Sequence, residues 1–336
     1  MHDLLAFAHN GILIAIIAHG LIGISLVWDK VLLRQPETRN LVSYVFWLGA
    51  ISVFGLALIP FGFHLPAARV VWLAVGAGAL HMAAIYFYYA ALQAGQASQT
   101  LAIMGGFSPI ATALIGIPLL KHPLGGTAAL LGFALLTAGG FLMFASEKMN
   151  LGKLLPPVLL ASGLFGLVNV LQKVVFDQTN FVSGYVFFTI GTFLGAVALL
   201  LRPKWRRQIF AQSAKAEPRS RFWYFVNRFI DGVGSFLVFY AISRANPALV
   251  ESITGVRYVI IFVGALAISH LRPAWLRENF GGWVLVGKTA ATLLVVGGLV
   301  VLGRGRGDTG QPARLLLPND VAPPPAAVFT LLPRRR

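Results

Sequence analysis

An apolar run of about 20 residues recurs along almost the whole length of this chain, and nothing else in the sequence constrains its fold so strongly. About 20 helical residues cross the hydrocarbon core of a bilayer. Such runs must be helices there, because lipid supplies no partner for a backbone N–H or C=O. Reading the apolar runs against their polar breaks predicts ten spans, at 10–33, 41–62, 69–93, 98–120, 125–145, 154–176, 182–201, 222–243, 248–270 and 282–303. Composition agrees: 11% of the residues are charged, against about 25% in an average soluble domain. The expected fold is therefore an all-α, multi-pass protein of the cell (inner) membrane. No Lys or Arg stands among Met1 to Asn10, so the basic region of a cleavable signal is missing and the first span is expected to stay in the mature protein.

Several function classes are set aside by what is absent. The formal net charge of +16 does not point to nucleic acid, because the basic residues stand between the spans. Lys30, Arg34, Arg39, Lys148, Lys153, Arg272 and Arg277 occupy three connections on one side of the membrane, and the stretch Arg202–Arg221 on the same side adds seven more cations. The other side holds Arg69, Lys121, Lys173, Arg244 and a C-terminal stretch ending in three arginines. The positive-inside rule then assigns the 202–221 side to the cytoplasm and both termini to the outside. There is no cysteine, no metal-ligand spacing among the seven histidines, no nucleotide loop and no nucleophile motif, so neither an enzyme nor a cofactor is expected. Gly191 and Gly195 form a small-xxx-small pair, though with 36 glycines such a match arises by chance.

The chain repeats itself. Gly20-Leu21-Ile22-Gly23 followed by Lys30-Val31 matches Gly163-Leu164-Phe165-Gly166 followed by Lys173-Val174, at an offset of 143 residues. Tyr44-Val45-Phe46 matches Tyr185-Val186-Phe187, Tyr89-Ala90 with Ala94 matches Tyr240-Ala241 with Ala245, and Leu135-Leu136 with Gly139-Gly140 matches Leu293-Leu294 with Gly297-Gly298. The offset grows along the second copy, implying an insertion, most simply Leu271–Phe280. This divides the chain into a first five-helix repeat at 1–150, a second at 151–303, and a polar, proline-rich tail at 304–336 expected to be disordered. Because each copy holds an odd number of spans, the second is inverted relative to the first, the architecture that places substrate sites near the bilayer midplane.

The stretch Tyr89-Ala90-Ala91-Leu92 with Ala94, Ala97 and Ser98, running on to Ser108-Pro109 and Ala113, resembles the third-to-fourth span signature of EamA-type transporters in the drug/metabolite transporter superfamily. Its second copy is Tyr240-Ala241 with Ala245, Pro247 and Ala248, and Lys30 and Lys173 also resemble the family pattern. The family's acidic residue after span four is missing: the sequence there is Leu120-Lys121-His122-Pro123, and Ser269-His270-Leu271-Arg272 in the second copy. The resemblance implies a ten-helix carrier for small organic solutes, often an exporter, with both termini in the cytoplasm. That orientation is the reverse of the one the charges predict.

Ionisable groups inside spans are costly in lipid and usually face a cavity or a partner. Span eight carries Asn227, Arg228 and Asp231, span nine Glu251, Arg257 and Tyr258, and span ten Lys288. Arg228 or Arg257 is a candidate to hold an anionic group, and Asp231 or Glu251 to hold an amine or a proton. The structural alternative makes Arg228–Asp231 an internal ion pair that locks helices, and puts Glu251 at the membrane interface. His81, in span three, aligns next to Asp231 in the repeat; a histidine there can couple transport to protons. Asn169 and Gln172 share one face of span six with Lys173. Tyr86, Phe87, Tyr88 and Tyr89 read first as an interfacial aromatic belt, with lining of the pore by some of them as the second reading, and His19 reads as a lone structural polar residue. The expected function is alternating-access transport of a small metabolite (amino acid, organic anion or drug-like solute) by a monomer or homodimer. The competing readings are a protein acting on lipid headgroups and a non-transporting scaffold whose basic 202–221 stretch binds anionic lipid.

Overall fold

The computed structural model describes residues 10–32, 40–94, 97–121, 124–145, 151–215, 218–271 and 282–308. Among them every regular element is a helix: α1 Gly11–Leu32, α2 Leu41–Ile51 continued by a 3-10 stretch Ser52–Phe61, α3 Ala68–Ala94, α4 Ala97–Leu120, α5 Thr127–Ala145, α6 Leu151–Phe176, α7 Phe181–Ala198, α8 Pro203–Lys215, α9 Pro218–Arg244, α10 Pro247–Ser252, α11 Gly255–Leu271 and α12 Gly282–Asp308. Nine spans among the described residues are long and apolar enough to cross a membrane; α5 contributes a shorter apolar stretch, Thr127–Met143. The chain is thus a multi-pass helical membrane protein. Large apolar side chains face outward at mid-helix, with Leu114, Phe229 and Leu293 each about 70% exposed. That is the surface of a protein solvated by lipid rather than water.

Asparagines start four of the helices. The Oδ1 atoms of Asn10, Asn40, Asn180 and Asn246 accept hydrogen bonds from the backbone N–H groups of Leu13, Ser43, Ser183 and Ala248 at 2.8–3.0 Å. Each removes one orphan donor from the first turn. Gly62, with φ at +99°, ends the 3-10 stretch of span two.

Two predicted features differ. The ninth span is broken: α10 and α11 are separate helices, with Ile253 and Thr254 between them. The 202–221 stretch, read as a loop, contains α8, whose Ile209 is fully buried against Val42, Tyr44, Val45 and Phe46. In addition, α12 runs on through Asp308, five residues into the predicted tail; 309–336 lies outside the described residues, as do Arg34, Arg39, Lys148, Arg272 and Arg277 and the side chain of Lys30.

Glycines set the closest approaches. Gly78 and Gly191 let α3 and α7 touch backbone to backbone: a Cβ on Gly191 would run into the Val75 carbonyl, and one on Gly78 into that of Phe188. Gly195 faces Met82 and Ala79 of α3. The Gly191–Gly195 pair, discounted above as chance, is therefore a true packing seam. Helices α5 and α12 use the same device through Gly132, Gly139 and Gly298. Because backbone cannot yield as a flexible side chain can, Gly191→Val is expected to destabilise the fold by about 1–3 kcal/mol. Gly76→Ala, where an added methyl meets nothing within 4 Å, should be neutral or slightly stabilising. Thermal unfolding of the purified protein in detergent checks both.

Candidate functional site

The site grows from the break in span nine. At Ile253 and Thr254 the backbone tightens to i→i−3 bonding: Thr254 N–H donates to Glu251 O at 3.0 Å, and Arg257 N–H to Thr254 O at 2.9 Å. Thr254 N–H would have bonded the Val250 carbonyl in a regular helix, so the break leaves that carbonyl without its helical donor. His19 of α1 takes it up through Nε2, at 2.9 Å. The other ring nitrogen, Nδ1, lies 2.7 Å from Nε of Arg257. An arginine N–H can only donate, so Nδ1 accepts and Nε2 carries the proton. One fully buried imidazole thereby ties both sides of the break together and aims the guanidinium of Arg257.

Glu251, in the last turn of α10, is buried rather than interfacial. Its Oε1 accepts from the Ser108 hydroxyl of α4 at 2.7 Å and its Oε2 from the Asn169 amide of α6 at 2.9 Å. Both donors are neutral. The side chain joins three elements, and among the described residues no cation forms a salt bridge with it.

Asp231, on α9, accepts from Arg228 Nη1 at 3.3 Å. Arg228 itself is buried, with Nη2 3.4 Å from Ser25 Oγ and its guanidinium 5.5 Å from the Tyr44 ring and 5.8 Å from that of Tyr224. Its neighbour Asn227 donates to the Ser25 carbonyl at 3.3 Å. Asn227 and Arg228 thus knit α9 to α1 through Ser25, while Asp231 turns toward open space.

That space is a cavity of about 160 Å³ bounded by α1, α2, α3, α4, α6, α9 and the broken span. At roughly 10–15 Å³ per water it has room for a small organic solute, not for a lipid or a peptide. Of the predicted residues, His81, Asn169, Asp231, Glu251, Arg257 and Tyr258 line it; Asn227, Arg228 and Gln172 do not. His81 sits among the rings of Phe165, Phe188 and Phe239 at 5.2–5.8 Å, and its Nδ1 has no hydrogen-bond partner among the described residues. Gln172 is fully buried, and among the described residues neither of its amide atoms has a hydrogen-bond partner. Lys173 pairs with Asp177 at 2.7 Å at the end of α6. Lys288 is buried with its ammonium 5.7 Å from the Phe262 ring, away from the cavity.

Five lining or shaping residues stand outside the expected site. Tyr88 and Tyr89 line the cavity rather than form a belt, as do Ser108 and Thr254. His19 shapes the site from behind. The available signal was the Ser108-Pro109 step and a histidine in an otherwise apolar span; neither announces a partner more than a hundred residues away.

No family model matches the chain, and no curated protein does. One similar solved structure, described as "Crystal structure of protein", superposes with a TM-score of 0.58 at 16% identity, over 90% of this chain and 99% of that one. At that identity the likeness shows the fold alone.

Removing the acceptor from Glu251 leaves Ser108 and Asn169 with buried, unsatisfied donors. Glu251→Ala is therefore expected to destabilise the protein by about 2–4 kcal/mol, at 1–3 kcal/mol per stranded group with partial relaxation, and Glu251→Gln by distinctly less. Equal melting temperatures for the two variants in a thermal scan would contradict this hydrogen-bond assignment.

Proposed function

We propose that the chain is a secondary transporter that carries a small polar metabolite across the bilayer, an EamA-like member of the drug/metabolite transporter superfamily with ten spans in two inverted repeats. The observation that carries this reading is the cavity itself: a solute-sized space deep among the spans, where two acids and one free-edged base converge beside a broken helix. Discontinuous spans whose exposed backbone lines a cavity are a recurrent device of carriers, and charge at that depth is otherwise hard to justify.

Packing supports the repeat. Helix α1 packs on α9 and α11, and α6, its repeat partner, packs on α3 and α4, theirs; α5 and α12 pair with each other. One correspondence fails. Helix α3 packs closely along α7, whereas α9 meets α2 through the rings of Tyr224 and Tyr44, 5.4 Å apart. An alternating-access cycle predicts such asymmetry, since one end must be sealed while the other is loose. The cavity reaches Leu26, Leu48, Tyr88 and Leu101 toward the ends of their spans that carry the basic connections, and Val238, Phe239 and Glu251 toward the opposite ends.

Substrate class follows from charge. Asp231 is already matched by Arg228, while among the described residues Glu251 and Arg257 are each held by hydrogen bonds to uncharged groups rather than by an opposite charge. A solute bearing both an ammonium and a carboxylate, or an anion seated on Arg257, fits that pair.

The test is flux of a mixed panel of amino acids, organic anions and drug-like cations into proteoliposomes. Uptake of one class is expected, falling about 10–100-fold in Glu251→Gln and Arg257→Gln, the equivalent of losing one charge-assisted hydrogen bond, and unchanged in Lys173→Gln. Uptake insensitive to both substitutions would keep the carrier and discard the site. No uptake by folded protein would remove the transport reading in favour of a lipid-handling or scaffold role.

Orientation is separately testable because the chain has no cysteine. The charge distribution puts α8 in the cytoplasm. A Lys204→Cys variant should resist a membrane-impermeant maleimide in intact cells and react after permeabilisation; labelling of intact cells would establish the opposite topology, the one the family resemblance implies.

A further inference from the structure

Helix α8 has no part in the carrier cycle as argued, yet its side chains are sorted. Ile209 is fully buried in the cluster around Tyr44 and Phe46, and the Trp205 ring lies 5.9 Å from that of Tyr86 on α3. The remaining surface is cationic and apolar: Arg202, Lys204, Arg206 and Arg207 are exposed, as are Leu201 and Phe210. The Arg202 guanidinium stacks 4.5 Å over Trp205. No acidic residue stands between Asp177 and Glu217, and among the described residues none of these four cations is in an ion pair. At 13 residues the helix is about 20 Å long, too short and too charged to cross, and it leaves directly from the end of span seven. It therefore lies along the membrane boundary, pinned by one face.

We propose that α8 is a docking surface for anionic phospholipid headgroups. Helical spacing puts Arg206 and Phe210 on one flank, a guanidinium beside an aromatic ring that can enter the acyl boundary, and puts Lys204 and Arg207 on the face opposite Ile209, at headgroup level. Cations that have no counter-ion among the described residues are complementary to a phosphate-bearing surface, and each adds a few-fold to its attraction. Two arginines in three positions favour phosphodiester over a neutral headgroup, since guanidinium forks match phosphate oxygens. Occupancy is sensed by the fold, because Ile209 roots the helix in the cluster that holds α2.

This inference needs only the membrane fold and stands whether or not the chain transports anything. The full-length protein in neutral detergent is mixed with phosphatidylglycerol or phosphatidylcholine. Its melting temperature is read by tryptophan fluorescence, and its retained lipids by native mass spectrometry. Phosphatidylglycerol is expected to raise the melting temperature by about 3 °C or more, as any ligand of the folded state does, and to be retained at least about threefold over phosphatidylcholine. The combined Lys204→Gln, Arg206→Gln and Arg207→Gln variant should lose both effects, and Lys204→Arg should keep them. In the unmutated protein 0.5 M NaCl should suppress them, as screening requires, which gives a readout that does not depend on any variant folding. Equal retention of the two lipids, or an undiminished preference in the neutralised variant or in high salt, would overturn the proposal. So would inorganic phosphate reproducing the full shift, which would mark a site for soluble anions instead.

Discussion

The backbone break at Ile253 and Thr254 is the constraint on which the centre of this molecule depends. In lipid an unsatisfied carbonyl costs several kcal/mol, with no water to relieve it. The chain can interrupt span nine only because a side chain from another span completes the hydrogen bonding. His19 does so at Val250, and the same ring then has one nitrogen left, which faces Arg257. The position of the cavity's free base is thus a consequence of how a backbone defect is repaired. Altering His19 would disturb the break and the guanidinium together, so the two cannot be tuned separately.

The acids follow a different logic from one another. Asp231 is held by a full counter-charge, and the Arg228 guanidinium is in turn cushioned by the rings of Tyr44 and Tyr224. Buried pairs of this kind return little net stability, because desolvation offsets their attraction; what they contribute is a fixed register between α9, α1 and α2. Among the described residues Glu251 has no such counter-charge. Two neutral donors from α4 and α6 satisfy both its oxygens. The difference explains why only one of the two acids is well suited to engage a solute, although both stand in the same space.

Hydropathy made the spans legible to within a few residues, because the bilayer imposes length and periodic structure on any apolar run. It could not show the break: Glu251-Ser252-Ile253-Thr254-Gly255 contains no proline, and its single glycine is one of thirty-six. Six of the nine residues expected at the site line the cavity, since intramembrane polarity is a strong signal. Which way each points is a property of helix rotation, and rotation is set by packing. Arg228 is the plainest case: the same residue type, one span away from Arg257 and at similar depth, is spent on a helix contact. His19 and Ser108 were illegible for the complementary reason, that a small or solitary polar group acquires meaning only from what packs against it.

Helix α8 revises the reading of the internal repeat. The offset between copies is 141 at Tyr44 and Tyr185 but 151 at Tyr89 and Tyr240. The jump therefore falls between spans seven and eight, where α8 stands, and not first at Leu271–Phe280. If the two copies descend from one unit, α8 is the part of the second that the first lacks, and it packs back onto α2, a member of the first. Among the described residues α2 is the one span with an extra helix fastened across its flank, through Ile209, and α2 is also the span that meets α9 through the rings of Tyr44 and Tyr224 rather than along its length.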